Sequence, residues 1–87
     1  MIRKRLQLIW QDESGFITTV FYNSWKQIHI HLFENGLYDE FQVTDENGEQ
    51  VLYYHKKPYG KYELKFSEKV PGSVLFEIVN KHASAKL

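Results

Sequence analysis

His29 and His31 stand two residues apart, and on a β-strand both imidazoles would project from one face roughly 7 Å from each other. That spacing lets two ring nitrogens share one zinc ion, with Glu40 in an adjoining strand as a third ligand. The same side chains also make ordinary solvated or hydrogen-bonded partners on a wet face. A lone His-x-His without further ligand spacing therefore leaves zinc, or a small hydrolytic site around the His29/His31 face, as an alternative only. The chain has no cysteine, which removes thiolate nucleophiles, disulfides and cysteine metal sites. It also has no Gly-rich phosphate loop and no nucleophile elbow, and its five glycines fall at turn signals. The expectation is a protein that is not an enzyme and carries no cofactor.

A second constellation is the aromatic and basic stretch Tyr53, Tyr54, His55, Lys56, Lys57, Tyr59, Lys61 and Tyr62. Single-strand nucleic-acid binders use such residues to stack bases and neutralise phosphates. Strand alternation splits the stretch, sending Tyr54 and Tyr62 to an apolar face and leaving Tyr53 and Tyr59 beside Lys57, Lys61 and Lys65. Eleven basic residues balance eleven acidic ones, so the field that gathers a polyanion is missing, and single-stranded nucleic acid stays an alternative partner. Trp25, Phe33, Tyr38 and Tyr59 are aromatics near turns and edges, where they serve as anchors for protein contacts. The favoured reading is a small interaction module, of an accessory or phage type, that binds another protein or itself.

The elements that must position these residues come from the turn rhythm. Asp12-Glu13-Ser14-Gly15, Asn23-Ser24, Asn35-Gly36, Asn47-Gly48, Pro58-Tyr59-Gly60 and Pro71-Gly72 punctuate the chain at intervals of about ten to twelve residues. Between them lie segments rich in β-branched and aromatic residues: 6–11, 16–22, 27–34, 37–44, 50–56, 61–67 and 74–80. They predict a mainly β fold, a single small antiparallel meander sheet or partly open barrel of about six to seven strands. One β-rich domain is expected over residues 1–82, with a flexible tail at 83–87. The alternative is α+β, with a helix at 24–35, at 73–85, or at both. Ser24-x-x-Gln27 supports the first helix as a capping box with Trp25, Ile28 and Leu32 in a stripe, and Ser73 would cap the second.

Two-residue turns at Asn35-Gly36 and Asn47-Gly48 make the strand reading specific. The first sets Ile28 opposite Val43, Ile30 opposite Phe41 and His31 opposite Glu40. The second sets Val43 opposite Leu52, Phe41 opposite Tyr54, Glu40 opposite His55 and Gln42 opposite Tyr53. A three-residue loop at Pro58–Gly60 then sets Tyr54 opposite Leu64, Leu52 opposite Phe66, His55 opposite Glu63 and Tyr53 opposite Lys65. His31, Glu40, His55 and Glu63 would form one cross-strand row, in which protonated histidines gain stability that is lost as pH rises. The basic start, Met1 to Arg5, leads into an apolar run broken by Gln7 and ended by Asp12 and Glu13, unlike a secretion signal. No apolar run approaches the roughly 20 residues of a membrane helix. A cytoplasmic protein without a membrane partner is the expectation.

Overall fold

A computed structural model describes residues 5–34 and 36–84. Five strands form one open antiparallel sheet: β1 (Leu6–Gln11), β2 (Ile17–Tyr22), β3 (Glu40–Thr44), β4 (Gln50–Lys56) and β5 (Tyr62–Phe66). Their order is β2-β1-β3-β4-β5. Two helices, α1 (Trp25–Glu34) and α2 (Gly72–Ser84), complete the fold. Mostly β with some helix is therefore right, while the expected six to seven strands are five, in an open sheet.

Residues 27–34 are the main correction. β2 and β3 both run antiparallel to β1, on either side of it, so they run parallel to each other. A chain that joins two parallel strands must travel back along the sheet, and a helix is the usual way. The sequence supplies one: the Ser24 hydroxyl accepts from the Gln27 amide at 3.4 Å, while the Gln27 side chain accepts from the Asn23 amide at 2.9 Å. These are the reciprocal bonds of a capping box, shifted by one residue on one side. Ile28 and Leu32 then fall on one helical face and are fully buried. Their burial outweighs the weak helix preference of β-branched and His residues, worth only tenths of a kcal/mol each. The hairpin expected at Asn35-Gly36 does not form, and Asn35 itself lies outside the described residues. Segment 74–80 is likewise helical. The expected tail begins inside α2, at Ala83 and Ser84, and residues 85–87 lie outside the described residues.

Two hairpins are closed by the same device. In Asp12-Glu13-Ser14-Gly15 the Asp12 carboxylate accepts from the amides of Ser14 and Phe16 at 2.9 and 3.0 Å. Gly15 donates back to the Asp12 carbonyl and has φ +89°. Asp45-Glu46-Asn47-Gly48 repeats every one of these bonds, with Asn47 and Glu49 as donors and Gly48 at φ +79°. Each is a three-residue loop that ends in a left-handed glycine, rather than the two-residue turn that Asn-Gly suggests.

The β3–β4 register nonetheless comes out as the pattern predicts. A three-residue loop pairs Thr44 with Gln50, and a bulge at Val51 restores Val43 opposite Leu52, Phe41 opposite Tyr54, Gln42 opposite Tyr53 and Glu40 opposite His55. The β4–β5 pairs also agree, from Leu52 opposite Phe66 to His55 opposite Glu63.

Leu8, Phe41, Val43, Leu52 and Tyr54 line one face of the sheet and meet Ile28 and Leu32 of α1 and Val74 and Ile78 of α2. Fully burying such side chains contributes about 1.5–3 kcal/mol each before chain entropy. Tyr54 reaches past the core to His82 Nε2 at 2.6 Å, and the His82 ring stacks on Tyr62 at 3.9 Å, fastening the end of α2 to β4 and β5. Burial, with the Asp39 charge and Tyr62 adding, pushes the Tyr54 phenol up to about 12. His29 Nε2 contacts Glu77 at 3.0 Å and so ties α1 to α2. Among the described residues no helix covers the opposite face of the sheet.

Candidate functional site

His31, read from the sequence as part of a wet cross-strand row, belongs to an aromatic cluster under the sheet. On α1 it faces the helical layer, where its Nδ1 meets the Tyr22 hydroxyl and its Nε2 the Tyr38 hydroxyl at 2.8 Å. Trp10 stacks on Tyr38 with centroids 4.6 Å apart and planes 9° off parallel. A neutral imidazole has one donor and one acceptor, so one phenol donates to it while the other accepts. Burial lowers the His31 pKa, and burial with the neighbouring Tyr22 raises that of Tyr38, so both side chains are favoured in their neutral forms. The cluster fastens the segment after α1 to β1 and β2.

His29 and His31 consequently point to different partners, because two residues on a helix turn through about 200°. The shared zinc geometry required a strand and is absent. Glu40 lies on the other face of the sheet, accepting from the Tyr53 hydroxyl at 2.8 Å, with His55 Nδ1 3.9 Å away. Of the expected row, Glu40, His55 and Glu63 do sit side by side on β3, β4 and β5. Among the described residues no three His, Cys, Asp or Glu side chains converge as a metal site.

A cleft of about 530 Å³ opens where the β1–β2 turn meets the segment before β3. Trp10 and Tyr38 form its wall, and Asp12, Glu13, Asp39 and Glu40 make its rim acidic. Asp12 is spent on its turn and Glu40 on Tyr53. Among the described lining residues there is no Ser, Thr, Lys or Arg.

The remaining candidates are scattered. Trp25 and Phe33 are half-buried against the core from α1, with Lys81 Nζ 5.9 Å from the Phe33 ring. Tyr59, 98% exposed and held at φ +65°, caps the β4–β5 turn between exposed Lys57 and Lys61. Tyr53 stands on the uncovered face with Lys65 Nζ 5.9 Å from its ring, but Glu40 and Glu63 flank it. The Glu40 hydrogen bond comes first among the causes that raise the Tyr53 pKa. Tyr and Lys do not converge on a common cationic groove.

None of the candidate residues read from the sequence lies on β2. It is an edge strand in the order β2-β1-β3-β4-β5, with Ile17 and Phe21 on the uncovered face, 72% and 52% exposed, and Phe16 exposed at its start. The seven residues Phe16-Ile17-Thr18-Thr19-Val20-Phe21-Tyr22 contain no charge, proline or glycine. The other edge, β5, carries Glu63 and Lys65, 3.7 Å apart, and follows Lys61. Charged residues of that kind are the usual guard on a free edge, and β2 has none.

The chain matches no protein-family model, no curated protein and no solved structure.

Which backbone groups of β2 are open follows from its ladder. The Asp12 amide donates to the Phe16 carbonyl at 3.0 Å, which makes that pair a hydrogen-bonded one. Such pairs alternate along an antiparallel ladder, so Thr18, Val20 and Tyr22 bond to β1. Ile17, Thr19 and Phe21 thus direct their amides and carbonyls outward. The bond from the Lys56 amide to the Asp39 carbonyl sets the same alternation across β3, giving an independent check on the phase. Exposed Phe76 and Val79 on α2 form another apolar patch, but helical backbone there leaves no open groups to direct a partner.

Proposed function

We propose that this protein is a small non-catalytic interaction module that binds protein by accepting a β-strand along β2. The observation that carries the reading is the pairing of open backbone groups at Ile17, Thr19 and Phe21 with exposed apolar side chains in an uncharged edge strand. In strand addition, main-chain bonds supply affinity and alternate side chains supply selectivity. β2 offers both, whereas β5 is guarded by charge.

The test is hydrogen exchange read amide by amide, with the chain kept dilute enough to be single and an excess of a peptide of residues 16–22 carrying lysines at both ends as the probe. Strand addition protects the amides of Ile17, Thr19 and Phe21 and leaves those of Thr18, Val20 and Tyr22, already bonded to β1, unchanged. Replacing Thr19 by proline removes an outward donor and abolishes the effect. Protection that is absent, or spread without the alternation, overturns the reading. A salt-sensitive response of Tyr53 and Lys65 to a single-stranded oligonucleotide in its place supports nucleic acid instead.

A further inference from the structure

The strand that fits β2 is β2 itself, an inference that rests on the strand-addition reading above. We infer that two copies of this chain pair antiparallel through β2 about a two-fold axis at Thr19, joining two five-stranded sheets edge to edge.

Geometry selects that register. A two-fold axis perpendicular to the sheet keeps both helical layers on the same side, so residues that meet must come from the same face. The outward amides and carbonyls belong to Ile17, Thr19 and Phe21. Centred on Thr19, all three find partners: Ile17 opposite the partner's Phe21, Thr19 opposite the partner's Thr19, Phe21 opposite the partner's Ile17. Each of these pairs exchanges two hydrogen bonds. A centre at Thr18 or Val20 leaves one of the three unpaired.

The side chains select the same register. On the uncovered face Ile17 and Phe21, both exposed, meet the partner's Phe21 and Ile17, an aliphatic-aromatic pair on each side of the axis. On the helical face, strand alternation sets exposed Phe16 opposite the partner's Tyr22. Tyr22 there borders a groove of about 290 Å³ with Gln27, Ile30 and Glu34, and Ile30 is itself exposed. One operation therefore covers the apolar residues left open at this corner. β2 is uncharged, so a second copy brings no like charge against it. Arg5, whose guanidinium lies 5.7 Å from the Phe21 ring, sits at opposite ends of the seam in the two copies. Four residues of strand, roughly 13 Å, separate the two Phe21 positions.

The absence of native cysteine makes the register directly testable. Thr19→Cys puts two Cα atoms about 5.5 Å apart, inside the roughly 4.4–6.8 Å that a disulfide spans. Thr18→Cys and Val20→Cys sit off the axis, and Glu46→Cys on the exposed β3–β4 turn reports random collision. Sedimentation of the wild-type chain at roughly 0.1 mM, where a micromolar dimer is formed, is run alongside. The expected result is a mass twice the 10.4 kDa of one chain, with rapid oxidative cross-linking at Thr19→Cys alone. The Ile17→Lys variant returns to a single-chain mass. A wild-type chain that stays single overturns self-pairing, whether or not Thr19→Cys cross-links. Strand addition then stands or falls separately on the peptide protection pattern. Preferential cross-linking at Thr18→Cys or Val20→Cys overturns the register.

Discussion

Deleting Val51 leaves Thr44 opposite Gln50 and Val43 opposite Leu52, with nothing between them. The bulge disappears, and the alternation of faces along β4 becomes regular. The cost follows from what Val51 does. It is 1% exposed, and burying a valine contributes about 1.5–3 kcal/mol. Its carbonyl accepts from the Ser67 amide at 2.9 Å, a bond worth about 0.5–1.5 kcal/mol net. The deletion should therefore destabilise by about 2–4 kcal/mol, against roughly 4–13 kcal/mol for a chain of this length. That corresponds to a fall in Tm of roughly 8–30 °C, measured by thermal melting followed by circular dichroism. Cross-strand nuclear Overhauser contacts should still join Phe41 to Tyr54 and Tyr53 to Lys65. If the deletion instead moves Phe41 opposite Tyr53, the bulge fixes the register rather than absorbing the difference between loop and ladder, and the reasoning fails.

Other outcomes follow from the same contacts. Burial lowers the His31 pKa below its ordinary 6.5, so the folded state binds fewer protons than the unfolded chain in the interval below that value. Its contribution is full above about pH 6.5 and is lost as pH falls through it, opposite in sign to the row of charged histidines read from the sequence. His31→Gln keeps a donor and an acceptor between Tyr22 and Tyr38, and should flatten the Tm slope between pH 7 and 5; an unchanged slope refutes this. The Lys69 hydrogen bond heads the causes that hold the Asp45 carboxyl below its ordinary range. Stability from that pair is present above about pH 3.8 and lost as pH falls further, so Lys69→Met should raise the midpoint of acid unfolding. Ser24→Ala removes the α1 cap and should cost about 0.5–2 kcal/mol in urea unfolding. Ile28→Ala, at a fully buried position, should cost about 2–5 kcal/mol, whereas a strand with a wet face would lose far less at this site.

Legibility divides along the line between local and distant information. The β3–β4–β5 pairings were readable because alternating apolar residues admit one register, and a slip by one would turn Phe41 and Tyr54 out of the core. The turn from Asp12 to Gly15 was also legible, but its repeat from Asp45 to Gly48 was not, because Asn47-Gly48 is the stronger turn signal and Asp45 does the hydrogen bonding. Residues 25–34 misled because Ile28, Ile30 and Leu32 alternate as a strand would, while Ile28 and Leu32 also share a helical face. The Ser24 and Gln27 cap pointed to the right answer, but the deciding constraint was that β1 lies between β2 and β3. That arrangement is tertiary, and no window of sequence contains it. The same fact hid the candidate site: Phe16–Tyr22 reads as an ordinary strand until the sheet order leaves it at an edge. His29, His31 and Glu40 looked convergent only while all three were placed on strands.

The most direct measurement of the account is an intermolecular one. In an equal mixture of ¹³C-labelled and unlabelled chain, isotope-filtered nuclear Overhauser spectra should join the Hα of Thr18 to the Hα of the partner's Val20. These face each other as a close non-hydrogen-bonded pair when the axis passes through Thr19. Spectra without any intermolecular contact along β2, or with Thr18 meeting the partner's Thr18, would contradict it.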